Sequence, residues 1–137
     1  MLSKKSLLVK VLLTDGINLK EKDICRHIQI GEQSSLSDLH SIIIESIEFD
    51  NDHLHAFFMD NRSWQGNGYY SFSEEKTNPL TGEILLEEFD LAKGEKFKYL
   101  FDFGDNWCFQ CEVLDVIEEE TEKAKIVFSK GKSPSQY

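Results

Sequence analysis

The sequence predicts an α+β domain: a mainly antiparallel sheet with one principal helix packed on a face. Three observations predict it. Leu7, Val9, Val11 and Leu13 recur at the two-residue period of a strand. Leu36, Leu39, Ile42, Ile43 and Ile47 recur at helical spacing. Phe97, Tyr99, Phe101 and Phe103, and then Trp107, Phe109, Cys111 and Val113, put every bulky ring on odd positions around a Gly-Asp-Asn turn.

The chain opens with two strands. In the first, Leu8 and Leu12 make the second face partly apolar, and Asp15-Gly16 marks a turn. The second, about residues 23–30, places Ile24, Arg26, Ile28 and Ile30 on one face and Cys25, His27 and Gln29 on the other. An arginine in an apolar row either pairs with a carboxylate or lies at the sheet margin with its head in water, and the second arrangement is the expectation. Ser35 followed by Asp38 forms the N-terminal signature of the helix, which should end near Glu48. A strand over residues 53–59 comes next, with His53, His55 and Phe57 on one face and Leu54, Ala56 and Phe58 on the other. Hairpin, helix and strand in this order match the element order of a β-grasp unit.

Residues 60–82 are punctuated by Asn61, Gly66, Asn67, Gly68, Asn78, Pro79 and Gly82, leaving room for one short strand at about residues 69–72. Trp64, Tyr69, Tyr70 and Phe72 are many aromatics for such a segment. They either cover a core edge or form a ligand or partner loop of Trp64, Tyr69 and Tyr70. A short helix or turn at residues 84–89 precedes an aromatic C-terminal hairpin. Residues opposite one another in a hairpin share a face, so an odd loop is required; residues 104–106 would make a three-residue turn with Phe103 facing Trp107 and Phe101 facing Phe109. Asn106 then takes a left-handed backbone. Residues 125–129 make a last strand at a sheet edge. The organisation expected is one domain over residues 1–129 and a loosely held tail over 130–137.

Composition narrows the functional classes. Fifteen basic against 25 acidic residues give a formal charge of −10, which opposes attraction to nucleic-acid phosphates or anionic lipid. No segment reaches the ~20 apolar residues of a membrane span, so neither nucleic acid nor membrane is an expected partner and the expected location is cytoplasmic. Three cysteines read as thiols in a reducing compartment. Cys108 and Cys111, three apart on a strand, point to opposite faces and make a poor redox or zinc pair.

The chemistry-bearing residues are His40, His53, His55, Asp102 and Asp105, with Trp107 beside them. His53 and His55, two apart on a strand, offer two imidazoles to one divalent metal, with His40, Asp50, Asp52, Asp102 or Asp105 as a third ligand and water in an open position. The competing reading is structural: His53 caps a turn, His55 bonds near the sheet surface, and the two aspartates satisfy backbone donors in a tight loop. No cofactor is expected under that reading.

Leu39-His40, His53-Leu54-His55 and the block Phe101-Asp-Phe-Gly-Asp-x-Trp107 resemble the signature blocks of the Ri-plasmid ORF-three-like family (plasmid pRiA4b type) over about residues 7–116. The resemblance implies a small protein associated with plasmids or with insertion elements as a passenger, often under a resolvase-like label. Two features depart from the family pattern: Phe109 stands where a histidine is usual, and the acidic, Pro-rich tail is reduced to residues 133–137. A serine recombinase needs an activated serine among arginines, and only Arg26 and Arg62 are present. The resulting expectation is a non-catalytic binding or accessory module for an unknown protein partner or small ligand. The alternative is a metal-dependent hydrolase or nuclease using His53 and His55 with Asp102 and Asp105.

Overall fold

The computed structural model describes residues 5–17, 19–62, 68–72 and 78–137. Among these, seven strands and one α-helix occur in the order β1 (Ser6–Asp15), β2 (Cys25–Gly31), α1 (Leu36–Ser46), β3 (His55–Phe58), β4 (Gly68–Tyr70), a 3-10 turn (Leu86–Phe89), β5 (Lys96–Phe101), β6 (Trp107–Ile117) and β7 (Lys125–Lys130). The strands form one sheet in the order β4-β3-β5-β6-β1-β2-β7, and every pairing is antiparallel. The strand after the helix, β3, lies between β4 and β5, so β5 and β6 separate it from β1.

One face of the sheet is the core face. The odd residues of β1, β5 and β6 and the even residues of β2 meet the helix stripe there, and Val9, Ile28, Ile30, Leu39, Ile43, Phe97 and Val113 are all buried. Ser35 Oγ accepts from Asp38 N at 3.0 Å and Asp38 Oδ2 accepts from Ser35 N at 2.9 Å, which closes the N-terminal capping box read from the sequence. The helix stops two residues before the expected end. Glu48 takes φ 60°, and the Phe49 and Glu48 amides donate to the carbonyls of Ile44 and Glu45, a Schellman closure.

Two expectations are corrected in the core. Arg26 reaches neither water nor a carboxylate: it is buried and donates to the carbonyl oxygens of Ser46 (2.9 Å), Cys25 (2.9 Å) and Lys130 (2.8 Å), and to Ser133 Oγ (3.2 Å). A planar cation with five donors is suited to gathering the orphan carbonyl at the end of α1 with two strand carbonyls. The second correction is the hairpin register: Phe101 faces Trp107 and Tyr99 faces Phe109, two residues from the expected alignment. The loop holds five residues, 102–106, and remains odd. Asp102 ends β5 by turning to φ 64°, its Oδ1 accepts from the Gly104 and Asp105 amides, and its carbonyl accepts from Asn106 N at 2.7 Å. Phe103 thereby leaves the ladder and packs edge-on against Tyr70. Asn106 has φ 53°, the left-handed backbone expected for it.

The tail also differs from its expectation. Gln136 is buried, exchanges hydrogen bonds with both backbone groups of Asp50 (2.7 and 3.1 Å) and donates to Asp52 Oδ1.

Candidate functional site

The histidines and aspartates separate into an inner and an outer group divided by the Phe101 ring, which lies 5.9 Å from His40 and 5.8 Å from His53 between centroids. The inner group is buried. Helix α1 supplies His40 and strand β3 supplies His55, and their rings stack at 3.7 Å with planes 10° apart. His40 Nε2 donates to Asn51 Oδ1 at 2.8 Å, which leaves Nδ1 to accept from the Tyr99 hydroxyl at 2.5 Å. His55 Nε2 meets Thr81 Oγ1 at 2.8 Å. Burial pushes the pKa of His40 down to about 4, against a smaller upward pull from its Asn51 hydrogen bond. Burial, with a smaller contribution from proximity to His40, pushes His55 down to about 3. Both rings are therefore neutral near pH 7 and lie within a cage of hydrogen bonds to Asn51, Tyr99 and Thr81.

The outer group sits where the tail meets the 50–55 segment. His53 precedes β3 instead of opening it, so His53 and His55 do not act as a same-face strand pair. His53 Nε2 lies 2.8 Å from the Tyr137 hydroxyl, 3.3 Å from Asp102 Oδ2 and 3.4 Å from Asp52 Oδ1. The Tyr137 hydroxyl donates to Asp52 Oδ2 at 2.6 Å, so it accepts from His53. This Tyr137 hydrogen bond is the first cause of a lowered Asp52 pKa, and the Tyr137 pKa is pushed up to about 12 by the same contact.

Asp102 is buried, and its Oδ1 organises the hairpin loop. Asp105 donates its amide to Asp102 and accepts from Ile17 N at its carbonyl. Trp107 is 0 % exposed and packs edge-on against Phe49 at 4.9 Å; its Nε1 is buried without a hydrogen-bond partner among the described residues. Gly16 lies against the ring so closely that a Cβ there would overlap Cε3 and Cζ3. Tyr69 packs edge-on against Phe89 and Tyr70 against Phe103, Phe72 is exposed, and Trp64 lies outside the described residues.

The structure thus brings His40 to His55 and His53 to Asp102, while Asp105 joins Asp102 only through its backbone amide and Trp107 packs on Phe49. Among the described residues no group of three or more His, Cys, Asp or Glu side chains is placed to hold a metal ion. Nε2 of His55 points to Thr81, and Nε2 of His53 to Tyr137 and two carboxylates. Sequence reasoning missed Asn51, Thr81, Tyr99, Gln136 and Tyr137 as members of these groups. Tyr99 carried a signal, a hydroxyl within an otherwise apolar aromatic row that had to find a buried partner; the others carried none.

Comparison with known proteins gives the same kinship as the signature blocks. The family model for plasmid pRiA4b ORF-3-like proteins matches residues 7–136, nearly the whole chain. The chain belongs to that family. The family match extends through the tail to Gln136, which the structure ties to Asp50. A crystal structure of a protein of unknown function from Methanosarcina mazei shares the fold at TM-score 0.73 and 22% identity, over 97% of this chain and 73% of that one. No protein with a curated description matches the chain. Among the described residues, no helix is long and apolar enough to cross a membrane.

Proposed function

We propose that this member of the plasmid pRiA4b ORF-3-like family is a non-catalytic binding module, a cytoplasmic accessory protein of plasmids or transposable elements that takes up an extended segment of a protein partner. The observation that carries this reading is the state of β7. All six of its residues are exposed, and Ile126, Val127 and Phe128 are exposed by 39, 50 and 47% at the end of the sheet. The opposite edge is protected: β4 has three residues, and Thr81 N and Asn78 Nδ2 occupy the carbonyls of Tyr70 and Gly68. Three apolar residues stand exposed at the centre of this six-residue edge, and main-chain pairing to an exposed sheet edge is a recurrent mode of peptide capture.

The histidine groups support the non-catalytic part of the reading, because both ring nitrogens of His40 and the Nε2 atoms of His53 and His55 are engaged with side chains of the same chain. The test compares partner capture by the wild type and a Val127→Lys, Phe128→Lys variant. A partner held by the wild type and lost from the variant supports the reading; equal recovery by both overturns it. Metal analysis of untagged protein decides the catalytic alternative. Near-stoichiometric zinc or manganese that disappears in His53→Ala and in His55→Ala would replace the binding module with a metal-dependent hydrolase.

A further inference from the structure

We infer that the segment paired along β7 is acidic: an extended stretch of a partner protein with apolar residues at its centre and carboxylates at its flanks. This rests on the reading of β7 as the docking edge. In a chain of formal charge −10, residues 123–132 carry Lys123, Lys125, Lys130 and Lys132 and not one carboxylate. Lys125 and Lys130 are the two ends of the strand, and Ile126, Val127 and Phe128 lie between them. None of the four lysines forms an ion pair among the described residues. The carboxylates of residues 118–122 belong to the turn ahead of the strand. The open face of the sheet continues the pattern, since Lys10 and Lys130 line a hollow of about 270 Å³ beside β7, with Phe128 packed at a tilt against His27 at 4.6 Å and Asp23 as the one acidic lining residue.

Charge also selects among occupants. A second copy paired antiparallel about the centre of β7 would set Lys125 opposite Lys130 at both ends, and like charges directly opposite are destabilising. Nucleic acid would meet the large negative charge of the remaining chain. An acidic segment meets opposite charge at both ends of the strand and apolar surface between them.

The experiment uses the full chain and synthetic peptides matched in length to β7, with an alternating Thr-Val centre and Asp, Ser or Lys flanks. Binding is read from backbone amide shifts. Asp-flanked peptides should shift the β7 amides and bind roughly fivefold more tightly than Ser-flanked ones, with a preference that fades as salt rises. In Lys125→Glu, Lys130→Glu the preference should invert to Lys-flanked peptides. Binding at β7 without charge preference would overturn the acidic assignment and leave the docking edge standing. Shifts confined to other surfaces, or no binding by any peptide, would overturn the docking edge itself, and a dimer paired through β7 would assign the edge to a second copy.

Discussion

The imidazole rings of His40 and His55 lie face to face, 3.7 Å apart and 10° from parallel, inside the core between α1 and the sheet. An imidazolium in either position would be desolvated beside its neighbour, which is why their pKa values fall to about 4 and about 3. In the unfolded chain both return to about 6.5. Below that pH the unfolded state binds protons that the folded state refuses, so stability is full above about pH 6.5 and declines as pH falls towards the folded values. Urea unfolding at about pH 5 should find the protein less stable than at neutrality by on the order of 2 kcal/mol per histidine. His55→Gln should reduce that slope even though it lowers stability at neutral pH. An unchanged slope would mean that the pair does not titrate as described.

Gly16 and Trp107 set a second test. A side chain at Gly16 collides with the rigid indole, and the indole is wedged against Phe49. Gly16→Ala should cost about 1–3 kcal/mol and shift the tryptophan fluorescence. Gly82, where a Cβ meets nothing within 4 Å, is the control: Gly82→Ala should be neutral or slightly stabilising. Equal effects at the two glycines would refute the close approach.

Arg26 joins the end of α1, the β2 backbone, the end of β7 and the tail through four hydrogen bonds. Arg26→Met keeps much of the apolar stem and leaves buried carbonyls without donors, so it should cost on the order of 3 kcal/mol in denaturant unfolding. Arg26→Lys should recover only part of this, because an ammonium cannot reproduce the guanidinium fork. Full rescue by lysine would show that charge alone matters there.

The contrast between these sites explains what the sequence revealed. Strand parity, the helix stripe and the Ser35 cap are local patterns, and each reappears in the fold with small boundary changes. Parity also required an odd hairpin loop, but three and five residues satisfy it equally; the choice fell to the Asp102 carboxylate, whose bonds to Gly104 and Asp105 no periodicity expresses. Arg26 found carbonyls 20 and 104 residues away, and Gln136 found Asp50 86 residues away. Such contacts depend on where the helix ends and on how the tail returns. The pairing of His40 with His55 belongs to the same class, since no spacing rule links a helix residue to the start of β3.

The tail contact can be tested through the titration of its two outermost groups. Tyr137 donates to Asp52 at 2.6 Å, and this bond depresses the Asp52 pKa while it raises that of Tyr137 to about 12. Each partner is the first cause of the other's displacement, so removing either should release the other. In Tyr137→Phe, carboxyl shifts should show the Asp52 pKa rising towards the ordinary aspartate range; in Asp52→Asn, ultraviolet titration should show the Tyr137 pKa moving from about 12 towards 10. A depressed carboxylate also makes the contact acid-labile: it holds above the unfolded aspartate pKa and is lost as pH falls through the lower folded value. The amide signals of Gln136 and Asp50 should therefore change together with the Asp52 titration. Independent behaviour of the tail amides and the carboxylate would show that the Tyr137 hydroxyl does not hold the C-terminal segment to Asp52.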